Sequence, residues 1–257
     1  MTKIKLLLLA VFISGCTSRA MPRLWDAASI ASYPNPVVIF KNKPNGKVLA
    51  GVYTADVRKI IRITEQVENA AGTIRVKLLI EDSGEPNGFS FFMHGQPIIA
   101  VNIGMINLLG QDSDAIAALM GHELAHLYLE HGNLRRNREE NRVMTSVALS
   151  FALGMAGIPA PVDLTDVATT AVSNTFTREE ERDADRFGVG YMAQAGFDPW
   201  GAVRLQEKLK SVAKGSLLPF LSSHPAGDER IKNMKHLAME MEHKQAEAAP
   251  SSGKGEN

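Results

Sequence analysis

The densest chemistry in the chain lies in GHELAHLYLEHG, residues 121–132. His122 and His126 are four positions apart, so on a helix they share a face, about 6 Å apart along the axis. Two imidazoles so placed can grip one zinc ion. Glu123 follows the first histidine and precedes the second by three positions. It reaches toward the same ion without coordinating it, where a general base belongs. Leu124, Ala125, Leu127 and Leu129 interleave, so the helix should be mostly buried, and burying His-Glu-His without a metal is costly. His131 stands five positions after His126, about 140° round a continuous helix. It is expected to point away from the metal, near a helix end that favours a cation. Glu130 is expected to stand outside the chemistry too.

A hydrolytic zinc site needs a third protein ligand and an open fourth position. TREEERDADRFG, residues 177–188, offers one. Glu181 and Asp185 are four apart, a ligand and, one turn on, an acid that fixes the tautomer of a ligand histidine. Spacing alone leaves Glu179, Glu180 and Asp183 as rival ligands, and the same charges would also make a salt-bridged, solvated face. SSHPAGDER, residues 222–230, places His224 in a loop stiffened by Pro225. His224 is an oxyanion donor, a ligand filling the open position at rest, or a plain surface histidine. In EPNGFSFFMHG, residues 85–95, Asn87, Gly88 and Phe89 open a strand. It is either an edge that accepts an extended peptide or an ordinary sheet strand.

The elements that must position these groups follow from periodicity. Residues 54–71 put Val57, Ile60, Ile61, Thr64 and Val67 on one helix face, and Gly72 is the stop. TIRVKLLIED reads as a strand. FSFFMHG and PIIAVNIGMINLL read as two more, the second running into a helix. Asp112 or Ser113 caps a helix over about 114–131, with Gly132 and Asn133 ending it. A long helix is expected over about 163–195, closed by Gly196 and Pro199, and a third over about 199–213. The fold class is α+β, mostly helical with a small mixed sheet.

Twenty-eight basic and 28 acidic residues cancel in a chain of 257, so no cationic surplus points to nucleic acid. At 45% hydrophobic residues the chain can bury one sizeable domain, assigned to 51–243. MTKIK followed by LLLLAVFI is too short to span a bilayer and reads as an export signal over 1–15. Ser14 and Gly15 before Cys16 are similar to a bacterial lipobox, and Cys16 is the sole cysteine. Lipidated Cys16 is the expected link to the membrane; an ordinary signal beside a buried thiol is the alternative. Thr17 favours the outer membrane over the inner. Residues 16–50, with four prolines, read as an acylated tether packing partly on the domain. Residues 143–160 carry no charge and are expected to pack as an apolar helix or hairpin rather than touch the membrane. Residues 244–257 read as a disordered tail.

The order Asn-Gly-Phe, GHELAH, E-x-x-A-D, HP and a later arginine resembles the gluzincin metallopeptidases. That family includes CAAX prenyl proteases, HtpX-type heat-shock proteases and the periplasmic beta-barrel assembly-enhancing protease. The resemblance covers about residues 52–240 and is closest to a single-domain, lipid-anchored branch. It implies a zincin-like fold and one Zn2+ per chain held by His122, His126 and Glu181, with Glu123 as base. It also implies Asp185 behind a ligand histidine, His224 and Arg230 in catalysis, and Asn87–Phe89 as the substrate edge strand. Two positions depart from the family pattern: Gly88 replaces an alanine and Asp183 a glutamate. The implied activity is a metalloendopeptidase of the bacterial envelope, facing the periplasm, that removes misfolded or misassembled proteins. The implied partners are protein substrates, the membrane and outer-membrane assembly factors. The alternative is a zinc-containing, membrane-anchored chaperone or assembly module with little or gated cleavage.

Overall fold

A computed structural model describes residues 23–41, 48–72, 75–134, 137, 176–213, 218–224 and 228–248. Cys16 with its leader, the apolar stretch 143–160 and residues 249–257 lie outside the described residues. β1 (Leu24–Asp26) leads into a short helix, α1 (Ala27–Ala31), whose N-cap Asp26 accepts a hydrogen bond from the Ser29 amide. β2 (Val37–Lys41) and β3 (Val48–Tyr53) pair antiparallel as a sheet of their own. α2 (Thr54–Ala71) ends at Gly72, whose φ of 61° is the left-handed stop expected of it. Then come β4 (Lys77–Glu81), β5 (Gly88–Met93), β6 (Gln96–Asn102), α3 (Ile103–Leu109) and α4 (Ser113–Tyr128). The described chain resumes with α5 (Arg178–Gln194), α6 (Trp200–Val212), α7 (Pro219–Ser223) and α8 (Asp228–Ala248). This is the α+β, mostly helical architecture with a small mixed sheet.

The main sheet runs β1-β4-β6-β5. β4 and β6 are parallel, and the other neighbours are antiparallel. β5 therefore lies at an edge. It returns into β6 through His94 and Gly95, at φ 51° and 81°, the two positive values a tight hairpin turn requires. Side chains alternate across the sheet. Ile80, Ile99 and Val101 join the main core, while Leu79, Ile98 and Ala100 form a smaller cluster under Phe89 and Phe91. α4 packs against β5 and β6 and against α2, α5 and α6. Every residue from Ala115 to Leu127 is buried. Asp112 is its cap, accepting from the Ala115 amide at 3.1 Å.

The segment read as a tether packs on the sheet: β1 pairs with β4, and Arg23 and Trp25 are pinned to Asp82. That carboxylate, 3% exposed, accepts from the Arg23 amide and Nε and from Trp25 Nε1; buried, it needs such donors. The helix expected from 163 instead starts at Arg178, after an extended Thr177. Thr177 and Glu180 form a reciprocal capping box, and the T-x-x-E in the sequence was its signal. α4 stops at Tyr128, three residues short, and the chain reverses at Glu130 with φ 54°. α8 runs through Ala248, so residues 244–248 are helical rather than tail. No helix among the described residues is long and apolar enough to cross a membrane.

α4 and α5 touch backbone to backbone at Gly121 and Gly188. A Cβ on Gly188 would lie 2.7 Å from the His122 amide nitrogen, and one on Gly121 would lie 2.5 Å from the Gly188 carbonyl. Neither neighbour can yield, since both are helix backbone. Gly188→Ala is therefore expected to push the helices apart and destabilise the fold by about 1–3 kcal/mol. Zinc affinity should fall with it, because Glu181 and Asp185 ride on α5. Urea titration and chelator competition on the same variant check both.

Candidate metal centre

Three helices and one short turn bring the predicted groups together. α4 supplies His122, Glu123 and His126; α5 supplies Glu181 and Asp185; α8 supplies Arg230. α7 ends at His224, whose amide donates to the Phe220 carbonyl at 2.8 Å. His224 is not a surface loop residue: it is fully buried, with its ring stacked on Phe220 at 4.6 Å between centroids.

One ligand atom from each of His122, His126, Glu181 and His224 lies within 4.8 Å of every other. His126 Nε2 is 3.1 Å from His122 Nε2 and 3.4 Å from Glu181 Oε1. His224 Nδ1 is 3.2 Å from His122 Nε2 and 2.8 Å from Glu181 Oε1. Tetrahedral zinc with N and O ligands at about 2.0–2.1 Å spaces them roughly 3.3 Å apart, so the donors fit one zinc ion. Glu123 adds an independent sign. It is fully buried, yet neither carboxylate oxygen has a hydrogen-bond partner. A buried carboxylate so placed needs a cation or a polarised water before it. Its Oε1 is 3.5 Å from His224 Nε2, beside the donor set rather than in it.

The rivals of Glu181 are disposed of by the same helix. Glu179 and Asp183 are exposed, and Glu180 is spent on the capping box. Asp185 Oδ1 is 3.0 Å from His122 Nδ1, the arrangement that holds a ligand ring with Nε2 facing the metal. Arg230 is buried at the site. Its guanidinium is committed to Asp185 at 2.7 and 2.8 Å and to Glu181 Oε2 at 2.5 Å. It bridges the two carboxylates, and its Nη2 lies 3.4 Å from His122 Nε2.

Electrostatics favour the coordinating form of Glu181 and His126. Burial alone would raise the Glu181 carboxyl, but the His224, His126 and His122 imidazoles hold it well below the usual carboxylate range. Burial also opposes ionisation of Asp185, and Arg230 with His122 overcomes it and lowers that pKa. Burial drives His126 well below the ordinary histidine value, so it stays neutral and ready to coordinate. For His122 burial pulls down, yet Asp185 and Glu181 leave it net raised.

Three contributors escaped the sequence. His131, expected to point away, is 4% exposed with Nδ1 3.0 Å from His126 Nδ1. The reversal at Glu130 swings it back, where an unbroken helix would have carried it round. Phe176 stacks on His126 at 3.9 Å between centroids; nothing in its local sequence marked it. Asn102 accepts from the Asn87 and Met105 amides through Oδ1, tying β5 to the start of α3. Gly88 lets β5 settle on α4, since a Cβ there would approach Leu119 to 3.3 Å. Leu119 lies one turn before His122. Among the described residues no strand pairs with the outer side of β5.

The profile of peptidase family M48 matches residues 55–238, and all seven of the predicted metal-centre residues fall inside it. The chain belongs to peptidase family M48. A Vibrio cholerae protein provisionally named a beta-barrel assembly-enhancing protease is 31% identical over 165 residues, covering 59% of this chain and 32% of the relative. The Escherichia coli K12 beta-barrel assembly-enhancing protease is 28% identical over 174 residues, 62% of this chain and 34% of its own. Metalloprotease YcaL of Escherichia coli K12 is 26% identical over 137 residues, 53% of each chain. This M48 chain thus spans about a third of the first two relatives and about half of YcaL. Family and donor set agree on a zinc metallopeptidase.

Proposed function

We propose that this M48 chain is a zinc-dependent endopeptidase of the bacterial cell envelope, acting on misfolded or misassembled envelope proteins. The convergence of His122, His126, Glu181 and His224 beside the unpartnered Glu123 carboxylate carries the reading. Zinc held by His122, His126 and Glu181 would polarise a peptide carbonyl and lower the pKa of its water to about 7. Glu123 takes the water's proton and returns it to the leaving amine. Asp185 fixes the His122 ring, and Arg230 holds Asp185 and Glu181 in register. The outer side of β5, with Asn87, Gly88 and Phe89 at its start, receives the substrate as an added strand. The names of the relatives support an envelope setting and a link to outer-membrane assembly. Lipidated Cys16, seven positions before Arg23, would hold the domain within about 25 Å of a bilayer.

His224 favours a gated form of this activity. Its Nδ1 stands in the donor set, where a catalytic site keeps a position open. His224→Ala is expected to raise the rate of casein cleavage several-fold with zinc retained. A fall to below a tenth of wild type would instead make His224 an oxyanion donor. A chain that binds zinc but cleaves nothing, with or without His224, would favour the chaperone reading.

A further inference from the structure

His131 sits beside the metal centre with no role in the chemistry above. We infer that His131 is a positioning residue for the metal: it accepts the Nδ1 proton of His126 and so aims that ligand's Nε2 at the zinc. The inference rests on the zinc reading of the site.

The tautomers follow from the contacts. His126 Nε2 faces the other donors, 3.1 Å from His122 Nε2 and 3.4 Å from Glu181 Oε1. A neutral imidazole that offers Nε2 as a lone pair carries its proton on Nδ1. His126 Nδ1 has His131 Nδ1 at 3.0 Å, so His126 donates and His131 accepts. His131 is then neutral with its own proton on Nε2. The two ligand histidines of α4 are thereby treated alike. Each has a partner 3.0 Å from its Nδ1, Asp185 for His122 and His131 for His126. They differ in charge: one partner is a carboxylate, the other a neutral ring.

The rest of the local structure serves that contact. Glu130 takes a positive φ, and helical structure resumes at residues 131–134. His131 is thereby folded back under the ring five residues before it. Phe176 closes the other side, stacked on His126 at an interplanar angle of 24°. Contacts at its edge and on its face hold the His126 ring.

The test is zinc affinity of the full chain, measured by chelator competition, with melting of the metal-free protein as the fold control. His131→Leu removes the acceptor and should weaken zinc binding by roughly 10–100-fold. His131→Asn places an amide oxygen near the position of Nδ1 and should stay within a few-fold of wild type. His131→Gln is as polar but carries its acceptor one carbon further out, and should behave like His131→Leu. Equal affinity in the Asn and Gln variants would overturn the inference, as would wild-type affinity in a folded Leu variant. If His131→Leu fails to fold, the Asn–Gln comparison still decides. Wild-type chain without zinc affinity would instead sink the zinc reading, and this inference with it.

Discussion

Replacing Glu123 with glutamine is expected to leave one zinc per chain and lower kcat for peptide hydrolysis by roughly 10²–10⁴-fold. Both halves follow from where the carboxylate sits. It lies outside the four-donor cluster, so the ligand set survives its loss. It is buried with both oxygens free of hydrogen bonds, so its lone pairs are open to take a proton. Gln keeps the shape and removes the basicity. The drop corresponds to about 3–5 kcal/mol of transition-state stabilisation. KM should change little, since the side chain touches the reacting water rather than the bulk of the substrate. A variant that lost zinc in parallel with activity would make Glu123 a ligand.

Glu181→Gln should have the opposite signature, with zinc lost first and cleavage lost as a consequence. The carboxylate is the sole anion in the donor set and is held ionised by three imidazoles against the cost of burial. An amide offers one weaker oxygen and no charge. Affinity should fall by more than the roughly 10–100-fold that follows loss of an outer hydrogen bond. The fold should survive, because Arg230 keeps its two contacts to Asp185. Metal titration with circular dichroism separates the two outcomes. Zinc binding unchanged in Glu181→Gln would remove Glu181 from the site.

The parts of this site that were legible in the sequence are those fixed by local periodicity. His122, Glu123 and His126 lie within one and a half turns of one helix, and helix geometry alone sets their common face. Asp112 and Gly72 were readable for the same reason: each acts within a few residues. Glu181 was visible as one of several acids, but choosing among them required knowing which face of α5 meets α4. That face is set by the Gly121–Gly188 approach, which no spacing rule reveals. His131 was misplaced because periodicity assumes that a helix continues, and this one reverses at a non-glycine residue of positive φ. β1 escaped because a three-residue strand takes its identity from a partner more than fifty positions away.

Arg230 shows the limit of carrying a role by motif. Its position after HP placed it near the chemistry, and it is there. What it touches is Glu181 and Asp185, so its effect on catalysis runs through the ligands it restrains.

Cleavage is expected to depend on zinc bound at this one site. The most direct measurement is casein hydrolysis by the wild-type and His224→Ala chains before chelation, after chelation and after zinc is returned, with zinc content determined at each stage. One zinc per chain, loss of cleavage on chelation and recovery with zinc are the predicted results. Cleavage that persists in zinc-free protein, or a zinc-replete chain that cleaves nothing, would contradict the account.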